Sequence, residues 1–509
     1  MTTNPHENIA SLIQAKQYEQ AEAATQAELA LSPQDGILWK ALGVARKLQG
    51  KDALAALQQS ASLLPEDANA QFNLGVDLQD RGDFEAAIAQ YRKAVKLEPA
   101  QAKAWNNLGS CLREMGGYPE AIQAFKAAIS ILPAFAEAHH NLGTVLEDVG
   151  DHQAALKSHE MAIQANPSYA KPYCQIGRLL HLFGKVSLAA DFYRKAFALD
   201  PTYPDSRYNL GLALLTLGEY KEGFLNYETR FHRNLPNPVA LPEQAPRMWQ
   251  GESLKNKHIA LYAEQGFGDA IQFARFAKYL DAGKVSIACK KPLHRLFSCI
   301  KGVDDVAESV APDCYAMLMS LPLRLGTTVD SIPQEKYISP LSGLVQEWAQ
   351  RLPAGRKIGL VWKGNPAHRN DANRSLPNLE ALAPLWGIQG VSFISLQKGP
   401  GQEEALAQST AHPITPIGHL IEDFADMAAV IASLDCVVTI DSAIAHLAGA
   451  MHKTCFVLLP AIGCDWRWML NRPDSPWYPT ARLYRQDAPG NWSRTIESLA
   501  KHLQSAIPR

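Results

Sequence analysis

The chain lacks the apolar segments that would place it in a membrane. Nowhere in its 509 residues does an apolar run approach the roughly 18 residues that a membrane-spanning helix needs. The opening stretch, MTTNPHENIA, has neither the basic start nor the apolar core of a secretory signal peptide. We therefore expect a cytoplasmic protein that is not inserted in a membrane.

Cysteine spacing, net charge and carboxylate spacing exclude further classes of protein. The eight cysteines are scattered without CxxC spacing, so the sequence indicates neither a zinc site nor a disulfide framework. The formal net charge is −2, whereas a dedicated nucleic-acid-binding protein would be strongly basic. No Asp-x-Asp string occurs, so we expect no carboxylate-bound metal ion.

The first half of the chain contains a repeat with a period of 34 residues. The phrases FNLG, NNLG, HNLG and YNLG return at this step or a multiple of it, and so do turn glycines and prolines. This period, with two amphipathic runs in each unit, is typical of the helix–turn–helix units of tetratricopeptide repeats. About seven units fill residues 1–231 and predict an α-solenoid with a concave binding surface. Small Gly109 would let the paired helix approach closely, and the turn glycines can take a positive φ.

The repeating phrase also places an amide side chain at one equivalent position of each first helix. These residues are Asn73, Asn107, Asn141, Gln175 and Asn209. Because an amide both donates and accepts hydrogen bonds, such a row can hold a peptide backbone of any sequence. The alternative is that asparagine is simply common in this kind of repeat. We expect these five residues to contact a polypeptide acceptor.

The second half of the chain has a different pattern. A proline-rich connector, residues 232–256, separates it from the repeats and contains an anchoring aromatic in PRMWQG. Buried-strand runs then alternate with amphipathic helical runs, which predicts parallel sheets covered by helices. We expect two Rossmann-like lobes, a short first lobe at residues 257–345 and a second at residues 346–509. Ligands of such lobes sit beyond the carboxyl ends of the strands.

The first polar segment at a predicted strand end is EQGFGDA, residues 264–270. Gly266 and Gly268 allow a tight turn and close approach to a ligand. We expect Glu264, at the start of the turn, and the two glycines to contact an acceptor. Asp269 falls in the first turn of the following helix, where a carboxylate can take a proton from an acceptor hydroxyl. The alternative is that Asp269 only caps this helix.

The second segment is WKGNPAHRNDANRSL, residues 362–376. It brings Lys363, Asn365, Arg369 and Arg374 just after a buried strand. Cations at this point can hold a diphosphate leaving group, on which charge grows as the bond breaks. The alternative is a solvated surface loop. Gln397, at the end of the next strand in SLQKG, and Trp466 are alternative candidates for a contact to the ring of a ligand.

The third segment is TIDSAIAHLAGAM, residues 439–451. A strand ends at Asp441, and a helix begins with the small residues Ser442 and Ala443. The free N–H groups of such a helix start form an anion site, to which Ser442 can add a hydroxyl and His446 lies one turn away. The alternatives are plain capping by Asp441 and Ser442 and a core position for His446.

Residues 258–509 resemble the GT-B glycosyltransferases related to the lipopolysaccharide heptosyltransferases. The string D-S-A-x-x-H-L-A-G from Asp441 is similar to the nucleotide-sugar signature of that family. The resemblance implies that Asp269 is the catalytic base and that Lys363 binds the diphosphate. The layout, repeats followed by a GT-B region with DWRWML and SPWYPTARLYRQ, resembles bacterial proteins that glycosylate flagellin or other polypeptides. The first lobe is shorter than in a typical heptosyltransferase, which disfavours a lipid-sugar acceptor.

The resemblance, together with the three polar segments, implies an inverting, metal-independent glycosyltransferase. It would move a sugar from a nucleotide sugar, its co-substrate, to Ser or Thr hydroxyls of a flagellin-like polypeptide held by the repeats. Two alternatives stay open: a heptosyltransferase-like enzyme acting on a glycolipid, and a non-catalytic tetratricopeptide scaffold. Cytidine-linked nonulosonates, ADP-heptose and UDP-hexoses are all compatible with the predicted phosphate site.

Overall fold

The computed structural model describes residues 4–243, 246–368, 370–408 and 414–506. The chain divides into two compact units, Met1–Ile176 and Gly177–Arg509. The division falls within the eleventh helix, so the last part of the repeat region belongs to the same unit as the second half of the chain.

The described part of residues 1–243 contains fourteen α-helices, which follow one another as seven pairs, the number of units expected from the repeat. They are α1 (Pro5–Gln14), α2 (Tyr18–Leu31), α3 (Gly36–Leu48), α4 (Leu54–Leu63), α5 (Ala68–Asp80), α6 (Phe84–Leu97), α7 (Ala102–Glu114), α8 (Tyr118–Ile131), α9 (Ala136–Asp148), α10 (His152–Ala165), α11 (Ala170–Leu182), α12 (Val186–Leu199), α13 (Pro204–Leu217) and α14 (Tyr220–Tyr227).

Each pair from α5 to α12 packs through a contact between a glycine and a ring. A Cβ atom at Gly109 would lie 2.8 Å from the Phe125 ring, and one at Gly143 would lie 2.5 Å from the His159 ring. Gly75 and Gly177 meet Tyr91 and Tyr193 in the same way. The glycine that recurs every 34 residues therefore lets the two helices of a pair approach closely, as predicted. The turn glycines between the helices have positive φ, for example 75° at Gly116.

The second half of the chain alternates strands and helices. Its first part contains β1 (Leu254–Tyr262), α15 (Phe267–Phe273), β2 (Ala282–Ala288), α16 (His294–Phe297), β3 (Asp305–Ala307), β4 (Cys314–Met317), α17 (Leu321–Arg324) and α18 (Ser342–Arg351). Its second part contains β5 (Arg356–Val361), α19 (Asp371–Arg374), β6 (Val391–Ser395), α20 (Gln402–Gln408), β7 (Ile414–Pro416), α21 (Phe424–Ala432), β8 (Cys436–Ile440), α22 (Ala443–Ala450), β9 (Cys455–Leu459), β10 (Ala481–Arg485) and α23 (Ser493–Ala506).

The strands form two parallel sheets, which confirms the α/β prediction. The first has the order β3-β2-β1-β4, and the second has the order β10-β9-β8-β5-β6-β7. Strands β8 and β9 are buried along their whole length, as expected for strands covered on both faces. In the second sheet the chain passes from β5 through β6 to β7 at one edge, and from β8 through β9 to β10 at the other edge. The crevice between the ends of β5 and β8 is therefore a topological switch point, where ligands of doubly wound folds bind.

The connector lies against the first sheet. Trp249 is buried, its indole N–H donates to the carbonyl oxygen of Glu252 over 2.7 Å, and its backbone N–H donates to that of Tyr315 over 2.7 Å. Since Tyr315 belongs to β4, the aromatic of PRMWQG holds this segment to the sheet. Across the described residues, every helix is too short or too polar to cross a bilayer.

Replacing Gly109 with alanine tests the contact between a helix pair. We expect the free energy of unfolding to fall by about 1–3 kcal/mol, because the new methyl group meets the rigid Phe125 ring. The matched control is Gly343→Ala in α18, where nothing lies within 4 Å and alanine should stabilise by about 0.5–1 kcal/mol. Urea unfolding followed by far-UV circular dichroism measures both. Equal behaviour of the two variants would contradict the packing role of Gly109.

Candidate functional site

The loop after β1 carries the first predicted segment and shapes the start of α15. Gly266 precedes the helix, and its backbone N–H donates to Asp269 Oδ2 over 2.8 Å. Gln265 has a φ of 59°, a conformation that a residue with a side chain seldom adopts. Asp269 therefore caps its own helix through one carboxylate oxygen and leaves the other, Oδ1, for a further partner.

Gly268 lets α15, which follows β1, closely approach α22 on the side of the second sheet. A Cβ atom at this position would lie 2.7 Å from the ring of His446 and 3.4 Å from Cα of Ala443. Both of these residues lie in α22, which follows the strand β8 of the second sheet. The first and third predicted segments, far apart in the chain, thus meet directly, and only glycine permits this distance.

Arg467 joins Asp269 to the second sheet's side of the site. Its Nη2 donates to Asp269 Oδ1, its Nη1 to both carboxylate oxygens of Asp465 over 3.0 Å, and its Nε to Gln272 Oε1 over 2.5 Å. The Arg467 side chain is 6% exposed and that of Asp269 is 19% exposed. An unpaired charge in a buried place is costly. Because the guanidinium of Arg467 lies between two carboxylates, each of the three charges has a partner of opposite sign. Asp269 remains open enough to reach a small group from solvent.

The electrostatics of the site follow from burial and from this pairing. Burial raises the pKa of Asp269, and the opposing influence of Arg467 does not fully offset it. Burial, together with the negative charge of Asp465, raises the pKa of Asp441 to about 6. Burial, together with the positive charge of Arg467, lowers the pKa of His446 to about 3, so its imidazole is neutral at pH 7.

The second predicted segment folds onto the third. The Nη1 of Arg374 donates to the backbone oxygen of Asp441 over 3.3 Å, and its Nε is paired with Asp371 over 3.2 Å. Asn370 reaches the backbone oxygen of Gly463, at the start of the loop that carries Arg467, over 2.7 Å. Through these contacts the ends of β1, β5, β8 and β9 form one connected site.

The lysine of the second segment lies at the end of β5, beside the switch point. Lys363 Nζ pairs with Glu404 over 2.6 Å and its side chain is 25% exposed. Asn365 accepts a hydrogen bond from the backbone N–H of Ala367 over 3.0 Å and so holds its own turn. Arg369, predicted from the sequence to belong to this group of cations, lies outside the described residues.

Gln397 holds the lysine's loop in shape. Its Oε1 accepts hydrogen bonds from the backbone N–H groups of Trp362 and Lys363, each over 3.0 Å. Its Nε2 donates to the backbone oxygens of Lys363 and Pro400 over 3.0 and 2.8 Å. Because the side chain is 3% exposed and bonded at both ends, it supports the loop and has no free amide for a sugar ring.

The third segment has the geometry of a helix start open to an anion. Ser442 caps α22, its Oγ accepting from the backbone N–H of Ile444 over 3.2 Å and lying 2.9 Å from Thr439 Oγ1. Ser442 and Ala443 are partly exposed. His446 is 5% exposed, its Nδ1 lies 2.9 Å from the Tyr478 hydroxyl, and its ring stacks on Trp468. The exposed start of the helix can contact a ligand, whereas His446 forms the wall behind it.

Glu264, expected from the sequence to face an acceptor, is turned inward. Its side chain is 1% exposed and forms two parallel hydrogen bonds with Arg230, of 2.8 and 2.9 Å. Arg230 follows α14, at the end of the repeats, so its partner could not be identified from the motif around Glu264. The structure thus gives Glu264 a supporting role at the base of the loop.

The five predicted amides each lie at the sixth position of an odd-numbered helix and are partly exposed. In the first compact unit, Asn107 Nδ2 donates to the Tyr91 hydroxyl over 3.3 Å, and Asn141 Nδ2 donates to Asn106 Oδ1 over 3.0 Å. Neighbouring repeats are therefore linked by amide hydrogen bonds along this row. Asn73 lines a surface groove of about 380 Å³ with apolar residues of α1 and α3.

Arg467 and Asp465 are not among the site residues predicted from the sequence. Their signal was present in DWRWML, where an aspartate and an arginine of opposite charge alternate with two tryptophans in an otherwise apolar stretch. Charges in such a setting are mostly paired when buried.

Within the described residues no group of three or more His, Cys, Asp or Glu side chains could hold a metal ion. The groups of the site that can contact a ligand are the start of α22, the cations Lys363 and Arg374, and the carboxylate of Asp269.

Comparison with known proteins identifies the helical half. Tetratricopeptide-repeat models match residues 72–139, 113–170, 170–203 and 192–223. Residues 72–223 are tetratricopeptide repeats. This confirms the prediction made from the period of 34 residues, and repeats of this kind form binding surfaces for other proteins.

The chain is also similar to protein FlbA of Caulobacter vibrioides. The two are 28% identical over 323 residues, which cover 57% of this chain and 53% of FlbA, so the chain spans about half the length of that relative. Among solved structures it is similar to MamA, with 26% identity, coverage of 31% of this chain and 91% of MamA, and a TM-score of 0.28. The chain is also similar to the solved structure of YrrB, described as a TPR protein with an unusual peptide-binding site. The identity is 24%, the match covers 34% of this chain and 90% of YrrB, and the TM-score is 0.29.

Replacing Arg467 with glutamine tests the buried charge pairing. Asp269 and Asp465 would lose their cation, so we expect the free energy of unfolding at about pH 7 to fall by about 3–5 kcal/mol. The pKa of both carboxyls would rise in the folded state. Since the folded state would then bind protons that the unfolded chain has released, the loss should grow as pH rises above about 4 and shrink on acidification.

Urea unfolding at several pH values measures this dependence, with Arg494→Gln as the control because that side chain is 83% exposed. A loss that is the same at every pH would mean that Arg467 acts through packing alone.

Proposed function

We propose that this protein is a glycosyltransferase of GT-B type. It moves a sugar from a nucleotide sugar to a hydroxyl group of a polypeptide held by the repeats, with inversion and without a metal ion. The observation that carries the proposal is the meeting of three strand-end segments at one site. Asp269 from the first sheet stands opposite the start of α22, with Lys363 and Arg374 on the adjacent strand end.

The switch point of the second sheet suits the diphosphate of the donor. Lys363 follows β5 and Ser442 follows β8, and these two strands are neighbours. The N-terminus of α22 provides free N–H groups and the positive end of the helix dipole. Lys363 and Arg374 add charge, so the group that becomes negative during transfer meets fixed positive partners. Lys363 would exchange its contact with Glu404 for one with phosphate.

Asp269 has the position and the electrostatics of a general base. Burial raises its pKa toward the working pH, and its side chain keeps 19% exposure. In the proposed step Asp269 takes the proton of a Ser or Thr hydroxyl while that oxygen attacks the anomeric carbon. The bond from that carbon to the phosphate oxygen breaks, and its electron pair leaves with the nucleoside phosphate. Attack opposite the leaving group inverts the anomeric centre.

The repeats support a polypeptide acceptor, with flagellin as one candidate. Residues 72–223 are of a class that presents surfaces to other proteins, and amides recur along one row of them. A peptide backbone can bond to this row whatever the side chains of the peptide, and Asn107, which is partly exposed, would exchange its internal hydrogen bonds for those to the peptide. The competing acceptor is a glycolipid, and the competing role is that of a non-catalytic scaffold.

Replacing Asp269 with asparagine tests the transfer reaction. Asparagine has nearly the same shape but cannot take a proton, so we expect transfer to fall by about 10²–10⁴-fold. Intact-protein mass spectrometry of flagellin, or of the most abundant secreted polypeptide, measures the product in cells that carry each variant. The control is Asp281→Asn, an exposed carboxylate in the same half of the chain.

A sugar-sized mass lost only in Asp269→Asn would support transfer to protein. Unchanged protein masses combined with altered lipopolysaccharide would favour the glycolipid acceptor. If neither product changes and the purified chain binds no nucleotide sugar, the scaffold role would stand.

Replacing Lys363 with glutamine tests the donor site separately. Loss of one charged contact to phosphate should weaken nucleotide-sugar binding by about tenfold or more. Isothermal titration calorimetry with cytidine-, adenosine- and uridine-linked sugars measures the affinity and selects the nucleotide. Lys501→Gln, an exposed lysine on α23, is the control. Equal affinity of both variants would place the diphosphate elsewhere.

A further inference from the structure

The last repeat helix, α14, is joined to the loop that carries Asp269 by a buried charge network. Arg230, in the single 3-10 turn that follows α14, is 1% exposed. Its Nε and Nη2 donate to the two carboxylate oxygens of Glu264 over 2.8 and 2.9 Å. Glu264 stands two residues after the end of β1, at the base of the loop.

Further polar groups complete this network. Ser320 Oγ accepts from Arg230 Nη2 over 2.8 Å and donates to Glu228 over 2.7 Å, and the Met319 backbone N–H donates to Glu264 over 3.1 Å. A buried ion pair is tolerated only in a geometry that satisfies its donors and acceptors. The network therefore allows Glu264 little freedom to move relative to the end of the repeats.

The next residue in the loop is held by the same helix. Gln265 has a φ of 59°, and its Nε2 donates to the Tyr227 hydroxyl over 2.6 Å. A non-glycine residue in this conformation carries strain and persists only when its surroundings hold it. Tyr227, the last residue of α14, is that support, since it fixes the bend through which the chain enters α15.

The same helix also supports the loop that carries Arg467. Tyr220 and Phe224, one turn apart on α14, meet the Trp466 ring edge-on with centroids 6.1 and 5.7 Å away. Tyr220 also stacks on Trp477 at 5.8 Å. Trp466 directly precedes Arg467 in the chain. One face of α14 thus contacts both loops whose side chains form the Asp269–Arg467 pair.

We infer that α14 is a positioning element of the transfer site, with Tyr227 and Arg230 setting the loop of Asp269 and Tyr220 and Phe224 setting that of Arg467. The inference rests on the proposed function for its chemistry. The last repeat then takes part in the transfer reaction. A truncated chain that lacks the repeats up to and including Tyr227 would transfer the sugar more slowly than the full chain.

The variant Tyr227→Phe isolates this role. It keeps the ring, which stacks on Tyr208 at 5.7 Å and lies 4.8 Å from the Arg230 guanidinium, and it removes the hydrogen bond to Gln265. We expect kcat to fall about tenfold while the KM for nucleotide sugar stays within about twofold, because the donor site is on the other sheet. Tyr279→Phe, at an exposed tyrosine, should change neither value.

A second variant, Gln265→Met, removes the same hydrogen bond from the other side. If both act through that bond, the double variant should be no slower than the slower single variant. Hydrogen exchange of the amides of residues 264–269 should become about tenfold faster in each variant, whatever the activity.

Unchanged kcat and unchanged exchange in Tyr227→Phe would overturn the inference. So would a rise in KM matching the fall in kcat together with a lower melting temperature, which would indicate general destabilisation. If the wild-type chain transfers no sugar, the proposed function fails, and the exchange rates alone decide whether α14 positions this loop.

Discussion

The pairing of Asp269 with Arg467 is the interaction on which the arrangement of the site depends. It connects a loop of the four-stranded sheet with a loop of the six-stranded sheet, across 198 positions of the chain. Both groups are largely withdrawn from water, where an unpaired charge is costly, and Arg467 is paired with Asp465 as well as with Asp269. Gly268 lets α15 approach α22 closely, and the backbone N–H of Gly266 holds the carboxylate of Asp269. Together these two contacts bring that carboxylate to the guanidinium of Arg467.

A second constraint is the junction between the repeats and the first sheet. The buried Arg230–Glu264 pair and the aromatic contacts of Trp466 tie α14 to the site-bearing loops, and the compact unit that contains the site begins at Gly177. The last repeats therefore belong, by their packing, with the α/β half. This continuity gives a physical reason for one chain to carry both parts, since the helix that ends the repeats also forms the support of the site.

Much of the fold could be predicted, because its causes are local and periodic. The step of 34 residues determines the helix pairs, and Gly109 and Gly116 could be given their roles from spacing alone. Alternating strand and helix runs predicted parallel sheets, and parallel sheets collect their strand ends at one edge. That rule is why Asp269, Lys363 and Ser442 could each be predicted to lie at a strand end where a ligand binds. The rule does not tell which side chains at a strand end face the ligand. Gln397 and Glu264 were predicted to do so, but both side chains point into the protein.

By itself the sequence determined the helix pairs, the α/β class and the loops that meet at the site, since each follows from a pattern within a few dozen residues. Only the tertiary structure decided the partners of the buried charges. Glu264 could have faced an acceptor, but it pairs with Arg230, and Asp269 could have capped a helix alone, but it also pairs with Arg467. The reason is that a buried charge is satisfied by whichever opposite charge the packing brings within hydrogen-bond distance. That depends on how separate elements dock, which spacing along a chain does not encode.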